Sequence, residues 1–159
     1  MGRSDVVEAI ICLDTAVWIK FLVTEEPAEL TNLASELVRQ VLTTARIVAP
    51  AFAWAEIGSV LRKKVRHLAL TPGDAEALWT SFGALPIEYI EGGALRARAW
   101  QIAERYGLPT LYDAAFLACI ELAPAPDVVT REFWTVDKEL LRMLQSDRPP
   151  YVRELGVDT

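Results

Sequence analysis

Four acidic residues stand where a bare carboxylate is an odd choice. Asp14 ends the apolar run Ala9-Ile10-Ile11-Cys12-Leu13, and Asp137 follows the run Glu132-Phe133-Trp134-Thr135. Glu56 lies among Phe52, Ala53, Trp54, Ala55 and Ile57, and Asp113 opens the most apolar stretch of the chain, residues 111–123. Each has a plain structural explanation. Asp14 and Asp137 make good helix N-caps. Glu56 suits the positive end of a helix dipole. Thr110-Leu111-Tyr112-Asp113 has the spacing of a capping box, with Asp where Glu or Gln is usual. Jointly the explanations are less comfortable, because two of these carboxylates end strands and two sit in the first turns of buried helices. In a parallel α/β sheet those ends emerge along one edge, so all four can share a pocket. Two carboxylates about 4 Å apart repel by about 4 kcal/mol at an effective dielectric near 20. Protons or cations must neutralise such a group. Donors that are all oxygen select a hard cation, Mg²⁺ or Mn²⁺.

The elements that must position these residues are legible from hydrophobic period and punctuation. Ala9–Leu13 reads as a fully buried strand and residues 15–23 as a helix. Residues 29–44 repeat Leu30, Leu33, Leu37, Val38, Val41 and Leu42 at helical spacing. Arg46–Pro50 is a second strand, and residues 51–66 are a helix with a core stripe through Ile57, Val60, Leu61 and Val65. Thr71-Pro72 opens another helix, with Pro in its first turn. Residues 85–90 read as a third strand, Gly92-Gly93 as a break, and Gly107 as the stop of the helix between them. Residues 111–123 are apolar nearly all round and predict a buried helix ended by Pro124-Ala125-Pro126. Residues 132–135, 137–144 and 151–155 read as strand, short helix and closing strand. Alternation of this kind predicts a three-layer α/β/α sandwich around a mostly parallel sheet of four to five strands. Its site belongs beyond the carboxyl ends of the strands.

Composition bounds the class. The chain of 159 residues fits one domain, 1–159, with a core over about 9–155. A hydrophobic fraction of 52% excludes disorder, and the net charge of −6 excludes a protein that coats nucleic acid over its whole surface. Cys12 and Cys119 sit in apolar runs and read as buried reduced thiols. The single histidine, His67, ends a basic helical run, so neither a His/Cys zinc framework nor a Ser-His-Asp triad is available. No Gly-rich loop ends in Gly-Lys, which excludes a P-loop enzyme. A phosphatase of the haloacid dehalogenase type needs a second Asp two residues after the first, where this chain has Ala16. The N-terminus does not read as a signal peptide and no apolar run reaches membrane-spanning length, so the expected location is cytoplasmic.

In order and spacing, Leu13-Asp14-Thr15, Ala55-Glu56-Ile57, Tyr112-Asp113-Ala114-Ala115 and Trp134-Thr135-Val136-Asp137 resemble the PIN domain, a metal-dependent ribonuclease fold. The similarity is closest to the small VapC-type toxins of toxin–antitoxin systems and spans about residues 9 to 155. The resemblance implies an endoribonuclease in which Asp14, Glu56, Asp113 and Asp137 hold Mg²⁺ or Mn²⁺ while Thr15 and Thr135 orient those ligands. It also implies an RNA substrate, a cognate antitoxin and a homodimer, for which Trp54 and Trp100 are the side chains to inspect. Ala16 departs from the family, which usually has a small polar residue there, and motivates the alternative of a non-catalytic PIN-like module that binds RNA or protein. Glu132 rivals Asp137 as the fourth ligand. The run Arg62-Lys63-Lys64-Val65-Arg66-His67 is the best local source of positive charge for RNA, carried by Arg62, Lys63 and Arg66, with Arg96, Arg98 and Arg105 as the other track.

Overall fold

The computed structural model describes residues 9–158, and the N-terminal stretch read above as no leader lies outside them. The strands are β1 (Ala9–Leu13), β2 (Arg46–Pro50), β3 (Ile87–Ile90), β4 (Thr130–Thr135) and β5 (Val152–Glu154). The helices are α1 (Thr15–Leu22), α2 (Ala28–Thr44), α3 (Ala53–Arg66), α4 (Pro72–Gly83), α5 (Gly93–Tyr106), α6 (Leu111–Leu122) and α7 (Lys138–Leu144). The strands form one sheet in the order β3-β2-β1-β4-β5, and every pairing is parallel. The fold is therefore the three-layer α/β sandwich that the alternation predicts.

β1 is an uninterrupted apolar run because both of its faces are covered. Ile10 and Cys12 face a core built with α5, α6 and α7, whereas Ile11 and Leu13 face one built with α1 to α4. The seven consecutive buried residues Ala114 to Ile120 make α6 the most enclosed helix, packed between the sheet and α5. Cys12 and Cys119 are free thiols inside that core. Local chemistry sets several boundaries. The Thr71 hydroxyl accepts the Asp74 N–H and starts α4, and Gly107, at φ +65°, ends α5 in the left-handed conformation that glycine adopts freely.

Several local expectations need correction: β3 begins at Ile87 rather than residue 85, and β4 at Thr130 rather than residue 132. Thr110 makes no side-chain cap, so the capping box at Asp113 does not form. Asp14 stands at the N-cap position of α1 without capping it through its side chain. α3 begins at Ala53 rather than residue 51, because Ala51 is still tied to the sheet, donating its N–H to the Ile90 carbonyl at 3.0 Å.

The strand order decides where a site can form. The chain proceeds from β1 to β2 to β3 in one direction, then returns over the sheet to place β4 on the other side of β1. The reversal opens a crevice between the carboxyl ends of β1 and β4, the usual ligand position in an open parallel sheet. Leu13 pairs with Trp134 in that register, and the Asp14 N–H donates to the Trp134 carbonyl at 3.0 Å.

Candidate active site

Asp14 leaves β1 directly into this crevice and is 7% exposed. A buried Asp must find a hydrogen bond, and the donor is the Thr135 hydroxyl, 2.7 Å from Oδ2. The same hydroxyl accepts the Asp137 N–H at 2.9 Å. One fully buried threonine thus fixes the turn that carries the last carboxylate to the first. Asp137 uses Oδ1 to cap α7, accepting the N–H groups of Glu139 at 2.9 Å and Leu140 at 3.0 Å.

Glu56 enters from the first turn of α3. Its Oε2 accepts the Thr15 hydroxyl at 2.9 Å, a bond across 41 residues that ties α1 to α3 beside Asp14. Asp113 enters from the first turn of α6, where the helix N-terminus favours a negative charge.

The electrostatics show that these groups share a neighbourhood. Burial pushes the Asp14 carboxyl up to about 7, the Thr135 hydrogen bond opposes the rise, and the charges of Asp113 and Asp137 add to it. Burial likewise raises Asp113 to about 6, with Asp137 and then Glu56 adding repulsion. Glu56 is raised by burial and held back by the Thr15 hydroxyl. Glu56 Oε1, Asp137 Oδ2 and both Asp113 oxygens receive no hydrogen bond from the described residues. The four carboxylates are brought to one edge as an open group rather than a closed cage. No three of the described His, Cys, Asp or Glu side chains converge tightly enough to enclose an ion as they stand.

Glu132 is not brought to this edge. It pairs with Ile11 inside the sheet, its Oε2 accepts the Trp134 indole N–H at 2.8 Å, and Arg153 lies 3.9 Å from Oε1. The basic residues divide. Arg62, Lys63 and Arg66 are exposed on the outer faces of α3, six to ten residues beyond Glu56, or roughly 9–15 Å along a helix axis. Arg62 lines a separate apolar groove of about 560 Å³ between α3 and α4, beside Trp54 and Trp79. Arg96, Arg98 and Arg105 are engaged by Glu91, Glu121 and Asp147.

Sequence reading passes over Lys20 and Glu25 and takes Lys64 only as one member of the basic run that ends α3. A cleft of about 370 Å³ is lined by Asp14, Ala16, Lys20, Glu25, Val60 and Asp137, among others. Glu25 meets both Lys20 and Lys64 there. Helical spacing carried a signal for them: Lys20 follows Ala16 by one turn, and Lys64 follows Glu56 and Val60 on one stripe of α3.

Trp54 is 52% exposed and Trp100 59%, so both present apolar surface to solvent. No helix among the described residues is long and apolar enough to cross a membrane.

No curated protein matches the chain in sequence. Among solved structures, the fold is similar to a chain in the crystal structure of VapBC2 from Rickettsia felis bound to a DNA fragment from their promoter. That match has a TM-score of 0.58 at 13% identity, over 91% of this chain and 98% of that one. The PIN domain family model matches residues 11–143, a span that runs from β1 through α7 and includes all four carboxylates. With the parallel order β3-β2-β1-β4-β5 and a carboxylate edge at its switch point, the chain belongs to the PIN domain family.

Proposed function

We propose that the protein is a divalent-metal-dependent endoribonuclease, the toxin of a toxin–antitoxin pair, with Asp14, Glu56, Asp113 and Asp137 as its metal-holding carboxylates. The observation that carries this reading is the buried Asp14 carboxyl, raised to about 7 and facing the charges of Asp113 and Asp137. A fold keeps such repulsion at a sheet edge when a cation relieves it. The donor set fits the group. It is all oxygen, which suits Mg²⁺ or Mn²⁺, and its open arrangement suits an ion that keeps several of its waters. When bound, one or two such ions supply an activated water for attack on the phosphodiester and charge to stabilise the leaving oxygen.

The chain's own residues do the rest. Thr135 holds Oδ2 of Asp14, and the Thr15 backbone N–H also supports its charge. Thr15 holds Oε2 of Glu56 and leaves Oε1 without a hydrogen bond from the described residues. Asp14 must give up its proton on metal binding, so metal affinity rises with pH up to about 7. PIN domains are generally nucleases, and the VapBC complex whose chain shares this fold supports an antitoxin as partner. A homodimer and cytoplasmic location belong to the same reading, with exposed Trp54 and Trp100 offering apolar surface for contacts.

Ala16 lines the cleft with a methyl group, and this observation favours the second reading, a non-catalytic RNA- or protein-binding PIN module. Cleavage of RNA in Mn²⁺ by the parent and by Asp14→Asn decides between them. The expected result is cleavage by the parent and a loss of at least about 100-fold in the variant. Equal rates remove the metal-site assignment, and no cleavage by either protein favours the binding module.

A further inference from the structure

Beside its carboxylates, the cleft is lined by one ammonium group, Lys20, and a second, Lys64, meets the cleft residue Glu25. Lys20 comes from α1 and Lys64 from α3, with side chains only 13% and 20% exposed. Both reach the carboxylate of Glu25, in the connection between α1 and α2. Lys20 Nζ lies 3.8 Å from Oε2, and the Lys64 ammonium donates to Oε1. Thr31 of α2 holds the Glu25 backbone in place, accepting its N–H at 3.2 Å and donating its hydroxyl to its carbonyl at 2.8 Å. Two largely buried ammonium groups share one carboxylate, which leaves a charge of +1 on the trio. Largely buried ammonium groups need anionic partners, and Glu25 satisfies them only in part. It does so in the cleft that Asp14 and Asp137 also line.

An RNA strand entering an acidic cleft needs cations where its non-bridging phosphate oxygens lie, or the carboxylates repel it. We propose that Lys20 and Lys64 form a phosphate subsite for the RNA strand crossing this cleft, and that Glu25 occupies the subsite in the free protein as an internal stand-in for phosphate. The proposal deepens the nuclease reading and takes RNA as its ligand from it. Strand phosphate displaces Glu25 from the two ammonium groups, and no covalent bond changes in that exchange. The subsite fixes the strand relative to Asp14 from the α1–α3 side. Arg62, Lys63 and Arg66 lie farther along α3.

The test is binding of a fluorescent single-stranded RNA oligonucleotide by the full chain without divalent metal, measured by anisotropy across a salt series, with melting curves for every variant. Lys20→Gln and Lys64→Gln should each weaken binding by about fivefold at low salt and lower the slope of log affinity against log salt by about 0.7. Lys20→Arg and Lys64→Arg, which keep the charge, should restore both. Glu25→Gln should tighten binding by a similar factor. Unchanged affinity and slope in the Gln variants overturn the subsite. So does a Glu25→Gln variant that binds as weakly as the lysine variants, since the trio is then a structural tie. The two readings fail separately. If the parent binds with this charge dependence but never cleaves in Mn²⁺, the nuclease reading falls and the subsite stands. If the parent cleaves while Lys20→Gln and Lys64→Gln keep its KM and kcat, the subsite falls and the nuclease reading stands.

Discussion

Thr135 is the residue on which the most geometry depends, because one hydroxyl donates to Asp14 Oδ2 and accepts from the Asp137 N–H. Thr135→Val keeps the shape, leaves the buried Asp14 Oδ2 without its donor and the half-buried Asp137 N–H without its acceptor, and should cost about 1–3 kcal/mol. Chemical denaturation checks this, with Thr135→Ser expected to retain most of the stability. Asp14 makes a prediction in the opposite direction. Its carboxyl is raised to about 7 in the fold, against an unfolded value near 4. The native state therefore holds the proton more tightly than the unfolded chain. The resulting penalty is absent below about pH 4, grows with pH and is complete above about pH 7. Asp14→Asn removes the ionisation and should stabilise the metal-free protein near pH 8, by an amount on the order of 4 kcal/mol at most, with little change near pH 4. Unfolding curves at the two pH values read the difference directly. A variant less stable than its parent at pH 8 would show that Asp14 serves the fold rather than the site.

At the scale of elements, Asp137 has two roles that substitution can separate. It caps α7 through Oδ1 and presents Oδ2 to the carboxylate edge. Asp137→Ser retains a capping oxygen and should melt within a degree or two of the parent while losing metal-dependent cleavage. Asp137→Ala should lose both, with about 1 kcal/mol of stability for the cap. Thermal melts and an RNA cleavage assay on the pair give the answer, and Asp137→Ser with full activity would move the fourth ligand elsewhere. Glu132 is not the obvious replacement, since β4 register sets it opposite Ile11 within the sheet and the Trp134 indole N–H holds it there.

For the whole molecule, folding and metal binding should be linked. Carboxylates from β1, α3, α6 and the β4–α7 turn meet only in the native fold, so an ion bound there stabilises that state alone. At 100 times its dissociation constant, Mn²⁺ should add roughly 2.7 kcal/mol. For a chain of this size that is about 5–10 °C in melting temperature. The shift should be largest near pH 8 and fade as pH falls below about 6, where Asp14 and Asp113 hold protons. Differential scanning fluorimetry over pH and Mn²⁺ concentration tests it. A shift that persists at pH 4, or that survives in Asp14→Asn, would place the ion outside this edge.

The sequence alone determined the order of strands and helices and placed their ends to within about two residues. The reason is local: period, apolar run length and Gly or Pro punctuation act within one element. Asp14 and Asp137 were legible as carboxylates at strand ends, and Glu56 and Asp113 as carboxylates in first helical turns, before any packing was known. Tertiary structure decided the strand order, and the order decided that the ends of β1 and β4 would lie side by side. It turned Asp14 from a candidate helix cap into a buried, proton-retaining group held by Thr135, 121 residues away. It also gathered Lys20, Glu25 and Lys64 from two helices and a connection into one trio, where each alone reads as an ordinary surface charge. Spacing can place residues on a face of one helix, but only the packing of α1 against α3 determines which faces meet.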